Sequence, residues 1–106
     1  MTKKTTTNKA FIQHKNNGFR LNFPNGNSLS TVWEATTYSD NNESAWSETE
    51  NGKKLSSNTV ETMPECSDKV LKMLEEAFPE ADNGGVFGYL SFDQWLEMVN
   101  ILATNK

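Results

Sequence analysis

Cysteine and histidine are nearly absent: the 106 residues contain one of each, Cys66 and His14. A lone thiol closes no disulfide within the chain, and the pair falls short of the ligands that a structural zinc site requires. So little cysteine fits a reducing compartment, and the cytoplasm is the expected location. Long apolar runs are missing as well. No stretch reaches the roughly 18 to 20 apolar residues of a membrane span, and the basic start, Met1 to Lys9, has no apolar segment behind it. No membrane partner is expected. A domain of this length buries somewhat under about 70% of its unfolded surface, enough for one modest core but not for an elaborate catalytic cleft besides. Large multi-step enzymes are thereby excluded.

Charge is scarce, at 23% of residues, and unevenly placed. Lys3, Lys4, Lys9, Lys15 and Arg20 fall in residues 1–33 with no acid among them, whereas all fourteen acids lie beyond, giving a net charge of -4. Residues 1–9 read as a disordered basic arm on an acidic body, residues 10–106, which forms a single domain. Within that body a sheet is expected over 10–63 and a helical segment over 64–106.

What the chain has in quantity is asparagine, threonine and serine, residues of turns and strand faces. Four of its six glycines follow asparagine, at Gly18, Gly26, Gly52 and Gly84, and Asn-Gly is a strong turn signal because both residues tolerate positive φ. Ala10 to His14, Phe19 to Phe23, Leu29 to Trp33 and Asn58 to Met63 read as short strands between such turns. A three-residue loop, with Pro24 and Asn25 central and Gly26 left-handed, sets Leu21 against Leu29 and Phe19 against Thr31. One face then collects Phe19, Leu21, Phe23, Leu29, Thr31 and Trp33. Two-residue turns at Asn16-Asn17-Gly18 would put Ile12 with those phenylalanines and point Phe11 away. Asn51-Gly52 suggests another hairpin, with a strand near Trp46.

Past Pro64 the period becomes helical. Val70, Leu71, Leu74, Ala77 and Phe78 form a stripe, Ser67 is placed to cap it, and Pro79 ends it. Ser91 with Gln94 forms a capping box for a second helix with the stripe Phe92, Trp95, Leu96, Val99 and Leu102, and Leu90 can staple onto Trp95. The expected fold class is α+β: an antiparallel β-meander of about four or five short strands with two C-terminal helices packed on one face. Between the helices, Asn83 to Gln94 has the outline of a calcium-binding loop. Its would-be ligand positions hold Asn83, Gly85, Phe87 and Gln94, which lack the carboxylates that calcium needs, so a helix-loop-helix with a glycine-rich turn is expected, with no metal. Asn83-Gly84-Gly85 lacks the lysine of a phosphate loop. No cofactor is implied.

Recognition chemistry concentrates around Tyr38, Ser39, Asp40 and Asn41, which lie between Trp33 and Trp46. Hydroxyls, amides and one carboxylate beside aromatic surface suit contact with a ligand or partner. With Arg20 these are the candidate binding residues. Trp33, Tyr38 and Trp46 also suit stacking on a nucleobase, with Arg20 and Lys15 meeting phosphate, which makes a nucleotide or cyclic nucleotide, sequestered or processed, the alternative ligand. Glu75, Glu76, Glu80 and Asp82 form either a solvated face or an imitation of a phosphate row. Cys66 with His14 is a nucleophile and base pair the composition allows, though small buried thiols are more often inert. Phe11, Val32, Met98 and Ile101 are spare apolar residues that either finish the core or join subunits in a homo-oligomer.

At Phe23-Pro24-Asn25-Gly26, Leu29 to Trp33 and Tyr38 to Asn41 the chain resembles small uncharacterised proteins of tailed phages, which share an aromatic-x-Asn-Gly strand turn and a Tyr-Ser-Asp-Asn stretch. It departs from them at Glu34, where they carry glycine. The resemblance spans about residues 18–62 and implies an accessory protein of the host cytoplasm that binds a host or defence component, with no catalytic residue. An enzyme needs groups of matched pKa held together, and this inventory is thin in them. The expected function is therefore non-catalytic binding of a host protein.

Overall fold

The computed structural model describes residues 9–13, 18–33 and 56–106. In chain order these form β1 (Phe11–Gln13), β2 (Gly18–Asn22), β3 (Ser28–Val32), β4 (Thr59–Glu65), α1 (Asp68–Ala77), β5 (Asp82–Asn83), β6 (Val86–Ser91) and α2 (Phe92–Thr104). The fold is α+β, as expected. Six strands among the described residues make one sheet in the spatial order β1-β2-β3-β4-β6-β5, with neighbours antiparallel throughout. Nearly all of the basic arm lies outside the described residues, as do Asn51-Gly52 and Trp46.

The β2–β3 hairpin has the expected register, Leu21 opposite Leu29 and Phe19 opposite Thr31. Gly26 donates its N–H to the Phe23 carbonyl at 3.0 Å and sits at φ +99, the left-handed conformation that the three-residue loop demands. The first hairpin differs from expectation. Phe11 pairs with Leu21 and Ile12 with Arg20, so Phe11 shares the phenylalanine face and Ile12 lies on the other. The last pair is Gln13 with Phe19; the connection is odd in length, and one residue of slip exchanges the faces of a strand. Strand β4 continues through Pro64, paired with Leu29, where helical pattern was expected to begin. The last β4 residue with a β6 partner is Thr62, so at Pro64 the sheet needs a hydrogen-bond donor on one side at most.

The expected helical segment 64–106 is interrupted by a β-hairpin, and the helix-loop-helix reading is corrected accordingly. Asn83 pairs with Val86 across Gly84 and Gly85, which sit at φ +68 and +93. Two consecutive left-handed residues define a type I′ turn, whose twist matches that of paired strands. Asp82 accepts the Gly85 N–H at 3.1 Å and fixes the turn from outside. Phe87 and Leu90 are both fully buried, although residues three apart on a regular strand face opposite sides. A bulge resolves the conflict: Gly88 and Tyr89 together oppose Glu61, the register shifts there, and Tyr89 takes φ +55.

Both helices start as their sequences predict. Ser67 accepts the Val70 N–H, and Ser91 with Gln94 completes the capping box. Leu29, Val70, Leu74, Phe78, Phe87, Leu90, Met98 and Leu102 form one buried cluster between the helices and the sheet. Ala77, expected in the α1 stripe, is exposed. The core line of α2 is also rotated from the expected stripe. Met98 is buried with Leu102, whereas Phe92 and Leu96 face solvent. No helix among the described residues is long and apolar enough to cross a membrane.

Candidate functional site

The β2–β3 hairpin and the start of α2 bring aromatic side chains together at one end of the sheet. Phe19 projects from β2 on the core face and lies edge-on to Trp33, with ring centroids 6.3 Å apart. It lies edge-on to Trp95 as well, at 6.0 Å. The capping box holds the first turn of α2 so that Phe92 stacks on Trp95, 6.2 Å between centroids and 17° between planes. Trp95 is locked in turn by its indole N–H, which donates to the buried Thr31 hydroxyl at 2.9 Å. Alternation along β3 thus places Thr31 beneath the ring, and the Ser91 cap places the ring above it.

These rings wall a cleft of about 220 Å³, completed by Val60 and Leu90, with Ser57 and Asn58 as its polar edge. No ionisable side chain among the described residues lines it. An apolar or aromatic group entering it loses water on several sides, at roughly 25 cal/mol per Å² buried. Ser57 and Asn58 add hydrogen-bonding chemistry at the rim. Nothing in this lining would neutralise an entering charge.

The opposite face of the sheet carries a polar cluster beside Ile12, Val32 and Met63. The Arg20 guanidinium donates to the Ser28 hydroxyl at 3.0 Å, the Glu65 carboxylate at 2.7 Å and the Asn22 side-chain oxygen at 3.3 Å. Arg20 and Trp33, candidate members of one contact surface, therefore lie on opposite faces. Tyr38, Ser39, Asp40, Asn41 and Trp46 lie outside the described residues, as does His14. Cys66 is half-buried; that burial, and secondarily the Asp68 carboxylate, push its thiol above the ordinary range. Thiolate, the reactive form, is disfavoured there.

Phe19, Val60, Leu90, Phe92 and Trp95 are cleft residues that sequence reasoning assigned to core or left unassigned. The available signal was the pairing of Phe92 with Trp95 on a stripe too wide for one helix face to bury. A second concavity, of about 280 Å³, is lined by Glu80, Ala81, Asp82, Asn83, Gly88 and Tyr89. Its Asp82 carboxylate serves the hairpin turn, and no group of three or more metal-ligating side chains occurs among the described residues. No family model, curated protein or solved structure matches this chain.

Proposed function

We propose that this chain is a small non-catalytic accessory protein of the phage type that works by binding, occupying a host or defence protein in the host cytoplasm. The partner presents a large apolar side chain, and the aromatic cleft takes it. One observation carries the reading: a cleft of about 220 Å³ walled by Phe19, Trp33, Phe92 and Trp95 with no charged side chain among the described residues of its lining. Interfaces draw most of their affinity from a few aromatic or aliphatic anchors seated in desolvated pockets, and this lining matches that chemistry. A nucleotide fits less well. Its phosphates would meet no cation among the described residues of the cleft, since Arg20 is bound to Glu65 on the far face. Burial raises the Cys66 thiol, which disfavours it as a covalent nucleophile.

The reading is tested by capture from host lysate with three forms of the protein. Asn58→Phe fills the mouth of the cleft from an exposed rim position, and Met63→Ala alters the opposite face of the sheet. A protein retained by the native chain and Met63→Ala, and lost with Asn58→Phe, is the expected result. Retention by all three forms would overturn it.

A further inference from the structure

Strand β1 closes the sheet on one side, and among the described residues no strand lies beyond it. Asn22 donates its backbone N–H to the Ala10 carbonyl at 2.8 Å. In an antiparallel pair the hydrogen-bonded positions alternate, so Ala10 and Ile12 turn their backbone groups toward β2 while Phe11 and Gln13 turn theirs outward. Two N–H groups and two carbonyls thus line the outer edge. Sheet edges are commonly blunted by extreme shortness, by proline, by a bulge or by charge. At the other edge, β5 is two residues long and runs straight into its tight turn. β1 contains no proline, no bulge and no charge: its side chains are Phe11, 78% exposed, Ile12, 40% exposed, and Gln13. Just ahead of it stands Lys9, also exposed.

We propose that β1 receives an extended, acidic segment of a partner protein as an added antiparallel strand. An edge of unmet backbone groups calls for another backbone, which a strand offers and a helix, bonded internally, does not. Opposite Phe11 the added strand places an apolar residue, and an acid two positions toward its C-terminus comes within reach of Lys9. Its alternate residues cover Ile12 on the other face. Charge decides against a second copy of β1 as the occupant. Residues 1–33 hold five cations and no acid, and β1 paired with β1 sets two such stretches side by side. Phe11, Ile12 and Gln13 are not among the residues that line the aromatic cleft, so this edge goes beyond that reading and does not rest on it.

The probe is a short peptide of alternating valine and threonine with glutamates at both ends, titrated into the isotope-labelled chain and followed by amide resonances. Saturable shifts at Phe11 and Gln13 are expected, and they should vanish when the backbone nitrogens of the peptide are methylated. Gln13→Pro removes an outward donor and leaves the bonds of Ile12 to β2 in place, so it keeps the melting temperature and weakens binding about fivefold. Lys9→Glu weakens it about two- to fivefold and reverses the preference toward a peptide ended by lysines. Asn58→Phe binds the peptide as the native chain does, which separates this edge from the cleft. Four results would each overturn the proposal: no saturable shift, binding that survives backbone methylation, equal binding of glutamate-ended and lysine-ended peptides by the native chain, or the same shifts on concentrating the native chain alone.

Discussion

Gly18 shows how closely the first two thirds of the sheet are fitted. A β-carbon built there lies 2.4 Å from the Thr31 carbonyl oxygen and 2.7 Å from a Val32 methyl. The first of these is backbone and cannot swing aside. Gly18→Ala should therefore cost about 1 to 3 kcal/mol in thermal or denaturant unfolding, as overpacking does. Thr31 acts through one bond. Thr31→Val keeps its volume and removes the acceptor of the Trp95 indole N–H, with an expected loss of about 1 kcal/mol and a change in Trp95 fluorescence as the ring is released. Cys66 makes a prediction about pH. Its thiol titrates higher when folded than when unfolded, so its contribution to stability is complete below the unfolded value of about 8.5 and is lost as pH rises through the folded value. Alkylation at pH 8 should accordingly be slower in the native protein than in the urea-unfolded chain, and equal rates would contradict that assignment.

At the scale of elements, the end of α2 is held by another element. It lacks the usual C-terminal glycine, and Asn105 follows the last turn in extended conformation. The β2–β3 turn supplies the cap. Asn27 donates to the carbonyls of Leu102 and Asn105 at 2.8 and 2.6 Å, and Asn25 donates to the same two at 2.9 and 3.1 Å. Asn27→Ala should cost about 1 kcal/mol, since it removes two of the bonds that cap α2 while Asn25 still reaches both carbonyls, and lower the melting temperature by roughly 4 to 8 °C per kcal/mol. The parts legible in the sequence were those with local causes: Gly26 after Pro24-Asn25, the Ser67 and Ser91 caps, and the Leu21 to Leu29 register. The β5–β6 hairpin was hidden because its bulge breaks the two-residue period, leaving Phe87 and Leu90 at helix-like spacing. The first hairpin was hidden because loop parity, which composition does not encode, decides whether Phe11 or Ile12 joins the core face.

At the scale of the whole molecule, composition shows how many aromatics the chain has but not which of them meet. Trp33, a candidate contact residue, lines the cleft. Its neighbours Phe19, Phe92 and Trp95 looked like core because a stripe does not reveal where the sheet beneath it ends. The seated Trp95 ring and the apolar walls of the cleft are consequences of tertiary placement. That cleft is the proposed site of recognition, and a stand-in for an apolar anchor tests it without an identified partner. Nuclear magnetic resonance of the tryptophan indole N–H groups during titration with 3-methylindole is the direct measurement. Saturable shifts at Trp33 and Trp95 are predicted, with an affinity on the order of 1 mM for so small a ligand, and they should be lost in Asn58→Phe. Shifts that never saturate, or that persist unchanged in Asn58→Phe, would contradict the cleft as the site of binding.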